Sequence, residues 1–333
     1  MTAPHLQTMT AQEYILQKLE ELKPTKSRSQ TNSNELADIV FAYVTTKKFR
    51  KYAASPELLE EIRETIRLNI SHNEPISFVY PHGMYKLWRL EESPEADWAE
   101  LFAFMHYISW LKPICEVYEP GVWFDFYADD LLVPVINNIP LEDIRRYETS
   151  YRSILDYLKQ YIPLNFKITL TGVGSKFESN NAFYEKLEYD SSRLANELPG
   201  GLPELDAKRV ATIELNANPS TEQKEDPLWR EKIALIHDAY LKYTKAETKY
   251  HFHAHKIRVF TAQLPSRSYL AVGTTKDSIA KFWVGVGALR PANESYRQVI
   301  LTPKQLATAE YTWEPVNIPG LLGKNFQRVR VLN

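Results

Sequence analysis

One cysteine and 11 glycines are few for a chain of 333 residues. The lone thiol, Cys115, excludes an internal disulfide and any cysteine-rich metal site. Its apolar neighbours in WLKPICEVY predict a buried, inert side chain. Neither GxGxxG nor GxxxxGK[ST] occurs, which argues against a dinucleotide fold built on glycine-rich turns and against a P-loop. Excess charge is also absent. The net charge of −2 leaves no broad basic field to attract nucleic acid and no acidic tail. The first residues, MTAPHLQTMTAQEY, hold no apolar core of signal-peptide length. The most apolar helix-length run, LFAFMHYISWL, has 11 residues including His106 and is too short to span a bilayer. These absences predict a soluble, cytoplasmic protein with no nucleic-acid or membrane partner.

Hydrophobic residues make up 44% of the chain and charged residues 25%, enough for a sizeable core. Thr10 followed by Glu13 forms a capping box at the start of a short helix. The polar stretch 23–34 reads as a mobile linker. Helices are expected over 35–49 and over SPELLEEIRETIRLNI, where Ser55 caps, Pro56 takes the first position and Leu58, Leu59, Ile62 and Ile66 share a face. A strand over 76–80 follows. The next helix, SPEADWAELFAFMHYISWL, has Ser93 as its expected cap and Pro94 at its start, and its apolar residues run nearly all round. Pro120–Gly121 turns the chain into a strand ending at Asp129–Asp130. Another helix, PLEDIRRYETSYRSILDYLKQYI, then leads to the strand FKITLTGVG. Two or three helices cover 175–248.

The β–α–β–α–β order over 76–174 has crossovers long enough for parallel strands. It predicts an α/β fold, a Rossmann-like open and mostly parallel sheet flanked by helices. From Lys256 onward, KIRVFTAQL, SYLAVG, AKFWVGVGAL, YRQVIL and FQRVRVL are short strand-like runs that predict a mixed or antiparallel extension of the same sheet or a small second subdomain. The expected organisation is an N-terminal helix and linker (1–34), an α/β core (35–255) and a strand-rich part packed on the same core (256–333).

Ligands of open α/β sheets bind beyond the carboxyl ends of the strands. In ISFVYPHGMYKLWRL the first strand delivers Lys86 and Arg89 among the rings of His82, Tyr85 and Trp88. The second strand delivers Asp129 and Asp130. If the two strands are neighbours, cations face carboxylates across one crevice. Cations beside rings suit a planar or anionic small molecule, through stacking and charge.

The strand-to-proline passage FVYPHGMYK, with lysine five residues after the proline, resembles the isocyanide (isonitrile) synthase family of pyoverdine and dityrosine biosynthesis. DWAELFAFMHYISWLKPICEVYEPGVWFDFYADD follows the family order of a helix, Y-x-PG and a strand ending in Ser-Asp-Gly. Asp129 falls on the family aspartate, with Ala128 and Asp130 in place of its serine and glycine. KIRVFTAQLP keeps Ile257 and Arg258 of a later family strand and lacks its histidine, and Lys281 matches the start of another. The similarity spans 76–289 and is densest over 76–161. It implies a Rossmann-like fold that joins the amino group of an aromatic amino acid to a carbon of ribulose 5-phosphate, with no metal or other cofactor. In that role Lys86, Arg258 and Lys281 bind the phosphate or engage the sugar carbonyl, and Asp129 acts on the amino group.

Other features carry alternatives. His251, His253 and His255 lie two apart, as a metal cluster on a strand requires, although a helix end or loop is the expected setting. Asp129–Asp130, with Asp125 upstream, is similar to the acidic Mg²⁺ or Mn²⁺ motif of sugar-nucleotide transferases. LTGVGSK has the wrong spacing for a P-loop and reads as a turn placing Lys176 near a helix start. No G-x-S-x-G elbow supports a serine nucleophile. The sequence therefore predicts an isonitrile synthase-like enzyme for an amino acid and a sugar phosphate. A metal-dependent nucleotidyl- or glycosyltransferase and a non-catalytic ligand-binding relative are the alternatives.

Overall fold

The computed structural model describes residues 9–24, 33–84, 94–248, 255–261 and 268–333. Its first three helices are α1 (Ala11–Glu20), α2 (Ser33–Val44) and α3 (Pro56–Ser71). The Thr10–Glu13 capping box and the Ser55 cap both form. Helix α2 stops short of the expected residue 49. The Thr45 hydroxyl bonds the Phe41 carbonyl, and such back-bonding competes with helix continuation.

Strand β1 (Ile76–His82) is buried along nearly its whole length. Helix α4 (Trp98–Val117) follows it. Its cap is Asp97, whose box with Glu100 satisfies the first turn reciprocally. The expected cap, Ser93, lies outside the described residues, and the helix starts several residues later than the Ser-Pro pattern implied. Nearly every α4 side chain up to Cys115 is buried, and each fully buried apolar one contributes about 1.5–3 kcal/mol.

Gly121, at φ +71, makes the turn into β2 (Val122–Ala128). A Cβ there would lie 2.0 Å from the Asn165 carbonyl oxygen. Helices α5 (Leu132–Asn137) and α6 (Leu141–Leu158) lead to β3 (Phe166–Gly172). Helices α7 (Asn180–Glu197), α8 (Ala207–Asn216), α9 (Thr221–Glu225) and α10 (Trp229–Ala239) come next. Helix α10 runs through a π-helical turn, Tyr240–Thr244, into α11 (Lys245–Thr248). Strands β4 (Lys256–Phe260) and β5 (Leu270–Ala271) complete a five-stranded sheet of order β3-β2-β1-β4-β5, parallel throughout.

The remaining strands form a second sheet. These are β6 (Val286–Ala292), β7 (Ser295–Leu301), β8 (Tyr311–Pro315) and β9 (Arg328–Leu332), in the order β7-β6-β9-β8, with the short helix α12 (Pro303–Leu306) after β7. The run AKFWVGVGAL is strand only from Val286. Before that, Val284 and Gly285 donate to the Lys281 and Phe282 carbonyls in a turn, so Lys281 does not begin a strand. The turn places the Phe282 and Trp283 rings against Tyr80 and His82. No helix among the described residues is long and apolar enough to cross a membrane.

Side chains alternate across a strand, so the main sheet has two distinct faces. Phe78, Tyr80, Phe124 and Phe126 belong to one large core with α1–α4 and α6, which also reaches Val329 and Val331 of β9. On the other face Val79 and Tyr127 pack with Phe183 and Tyr240. That second face also carries Ser77, Trp123, Asp125, Thr169, Thr171, Lys256 and Arg258, by the strand register. A sheet covered by helices on both faces is normally apolar on both. This one is polar where β1, β2, β3 and β4 meet.

Candidate functional site

Asp125 anchors the polar face. The Thr169 and Thr171 hydroxyls donate to its Oδ1 at 2.6 and 2.7 Å, and the Lys256 ammonium donates to Oδ2 at 3.0 Å. Lys256 also lies 3.8 Å from the centroid of the Trp123 ring, whose Nε1 donates to Thr169. Side-chain exposures of 3% for Lys256 and 7% for Asp125 make this a buried ion pair. Burial holds the Lys256 pKa below its ordinary value, against the opposing pull of Asp125.

Two residue pairs further along β2, Asp129 stands just past the strand end. At about 3.3 Å per residue it lies roughly 13 Å from Asp125. The Tyr240 hydroxyl donates to Asp129 Oδ1 at 2.5 Å, and the Lys245 ammonium lies 3.5 Å from the same oxygen. Lys245 also sits 5.1 Å from the Tyr127 ring and 5.4 Å from the Tyr240 ring. Its side chain is 13% exposed and that of Asp129 is 26% exposed, so the group is enclosed yet reachable. Burial lowers the Lys245 pKa, while Asp129 acts in the opposite direction. The π turn brings Tyr240 and Lys245 together, and the Lys245 N–H donates to the Tyr240 carbonyl across it. An amine, a carboxylate and a phenol in contact can pass a proton among themselves.

Asp130 takes a different partner. Its Oδ1 accepts from the Gly174 N–H at 3.1 Å, and a Cβ on Gly172 would lie 2.4 Å from its Oδ2. The glycines of LTGVGSK thus make room for this carboxylate. Burial and the neighbouring Asp129 charge raise the Asp130 pKa, and the Gly174 N–H opposes them. Glu148 of α6 is pushed up to about 7 by burial and then by Asp130, against Arg152 and Arg145. Asp129 and Asp130 thus take different hydrogen-bond partners, the Tyr240 hydroxyl and the Gly174 N–H. Among the described residues no three His, Cys, Asp or Glu side chains group to hold a metal ion.

Lys86, Arg89, Tyr85 and Trp88 lie outside the described residues, as do His251 and His253. The strand they follow is placed as the crevice requires: β1 pairs with β2 in parallel, His82 opposite Ala128, so both leave the sheet at one rim. His82 itself is 2% exposed and boxed by Tyr147, Tyr151, Phe282 and Trp283, in the large core rather than beside Asp129. Arg258 sits level with Asp125 and Val79, and bonds Glu61 of α3 at 2.5 Å. Lys281 lies 5.2 Å from the Phe260 ring, at the carboxyl end of β4. Asp129 is therefore not joined by Arg258 or His82. The residues that do join it, Tyr240 and Lys245, carry no motif. Five residues of α-helix would turn them roughly 140° apart, and only the π turn aligns them.

No family model matches the chain, and no curated protein matches it. Among solved structures it is similar to the crystal structure of the PvcA protein from Pseudomonas aeruginosa, with a TM-score of 0.58 and 15% sequence identity. That alignment covers 90% of this chain and 100% of the PvcA chain, and at this identity the likeness establishes the α/β fold.

Proposed function

We propose that this protein is a biosynthetic enzyme of the isonitrile-synthase type. It would join the amino group of an amino acid, aromatic ones favoured, to a carbon of a phosphorylated sugar such as ribulose 5-phosphate. The carrying observation is Asp129 at the rim shared by β1 and β2, with Tyr240 at 2.5 Å and Lys245 at 3.5 Å from its Oδ1. Two further supports are the motif order of the sequence, which resembles the isonitrile synthase family, and the fold shared with the PvcA protein.

An amino acid arrives as an ammonium and must lose a proton before it attacks a carbonyl. Asp129 is the acceptor for that proton, and the Tyr240 hydroxyl holds the carboxylate in place. The same group returns a proton to the hydroxyl that leaves as water when the carbon–nitrogen double bond forms. Lys86 and Arg89, which follow β1 in the chain, are proposed to take the phosphate, with Tyr85 and Trp88 against the aromatic side chain of the amino acid. Lys281, at the carboxyl end of β4, is a further cation for the sugar phosphate.

The test is incubation of the purified protein with L-Tyr or L-Trp and carbon-13-labelled ribulose 5-phosphate. Mass spectrometry should find a labelled isonitrile of the amino acid. Absence of product across a broad panel of amines and sugar phosphates would overturn the reading.

A further inference from the structure

We propose that Lys245 captures the sugar carbonyl as an imine and then hands that carbon to the amino group of the second substrate. The inference rests on the reading that amine and carbonyl meet at the Asp129 rim, and it adds a covalent role that the sequence resemblance does not assign.

The geometry distinguishes Lys245 from a lysine that only neutralises a carboxylate. Its nearest acid among the described residues, Asp129, stands 3.5 Å away and is already engaged by the Tyr240 hydroxyl at 2.5 Å. The ammonium is not in tight contact with that charge. Among the described residues it also lies near the rings of Tyr127 at 5.1 Å and Tyr240 at 5.4 Å, and its side chain is 13% exposed. Lysines elsewhere on these helices make close pairs, such as Lys186 with Asp190 at 2.6 Å and Lys242 with Glu197 at 2.7 Å. The π turn is a second observation. It interrupts a helix that is otherwise regular from Trp229, and such turns occur frequently at functional sites. An enclosed lysine with a burial-lowered pKa holds more of its amine in the neutral, nucleophilic form.

The step balances without an oxidant or reductant. Asp129 takes a proton from the Lys245 ammonium, and the freed electron pair attacks the carbonyl carbon to form a carbinolamine. The proton returns to its hydroxyl, water leaves, and a lysine–carbon imine remains. The amino group of the second substrate adds to the imine carbon, the Lys245 nitrogen departs with the transferred proton, and the free lysine is restored. The net change is one amine and one carbonyl converted to one imine and one water.

The experiment is trapping with cyanoborohydride, which reduces an imine to a stable secondary amine. Wild-type protein is incubated with ribulose 5-phosphate and cyanoborohydride, digested, and mapped by mass spectrometry. The expected result is a sugar-phosphate adduct on the Lys245 peptide, absent from Lys245→Arg, with product formation by that variant lowered by about 100-fold or more. The wild-type map needs no variant, so a Lys245→Arg protein that fails to fold leaves the test intact. An adduct confined to other lysines, or none, overturns the inference whether or not product forms. Labelled product without a Lys245 adduct retains the proposed function and removes the covalent step. A Lys245 adduct without isonitrile retains the imine and removes the isonitrile reading.

Discussion

The Tyr240 hydroxyl donates to Asp129 Oδ1 at 2.5 Å, tying a π-helical turn to the carboxyl end of β2. Tyr240 is fully buried, so Tyr240→Phe removes the bond and little of the packing. Loss of a hydrogen bond to a charged group costs about 1.5–3 kcal/mol, moderated here because water can reach the partly exposed carboxylate. A lower urea midpoint with an unchanged m-value is expected, together with slower product formation.

Asp125 and Lys256 predict a non-additive pair. Lys256→Met leaves a carboxylate that is 7% exposed with only the hydroxyls of Thr169 and Thr171, and breaking a buried pair in this way costs about 3–5 kcal/mol. The double variant Asp125→Leu/Lys256→Met should lose less than the sum of the two single changes. Urea denaturation of all four proteins in the cycle measures the coupling.

Gly172→Ala sets a methyl group against Asp130. With the Cβ 2.4 Å from Oδ2, the carboxylate must shift and its bond to the Gly174 N–H is lost. A destabilisation of about 1–3 kcal/mol is expected. Since Asp130 adjoins Asp129, activity should fall too, and Gly172→Ala/Asp130→Gly should recover stability by removing the clash.

Glu148 predicts a pH dependence whose sign is opposite to that of a salt-bridged acid. Its folded pKa is raised to about 7, so the folded protein keeps the proton over a range where the unfolded chain has released it. The unfolded state then binds fewer protons, and stability falls as pH rises from the ordinary carboxylate range to about 7. Glu148→Gln should remove that component. The melting temperature of the variant should gain on that of wild type across this window and level off above it.

The parallel arrangement of β1, β2 and β3 was legible, since strand-like runs separated by helices longer than ten residues leave room for the crossovers that parallel pairing needs. Strands β4 and β5, expected in a mixed or antiparallel extension or a subdomain, instead join the same sheet in parallel. Asp129 at a strand end followed from the same pattern. Other parts depended on register. The expected strand 76–80 continues to His82, and counting from the true end turns the imidazole toward Tyr80 and Phe78, into the core. The polar face was present in VWFDFYA, where Trp123, Asp125 and Tyr127 alternate with Phe124 and Phe126. Its meaning required Thr169, Thr171 and Lys256, which only strand pairing brings alongside. Strand β8 escaped notice because its residues are half-buried or exposed and give no apolar run. Tyr240 and Lys245 were beyond reach because α-helical periodicity separates them.

The most direct measurement is a single-turnover comparison of wild type and Asp129→Asn with an aromatic amino acid and carbon-13-labelled ribulose 5-phosphate. Asparagine keeps the shape of the side chain and its acceptor for the Tyr240 hydroxyl, and it cannot take up a proton. Wild type should give labelled isonitrile, and the variant should form it at a rate lower by about 100-fold or more. Equal rates in the two proteins would contradict it.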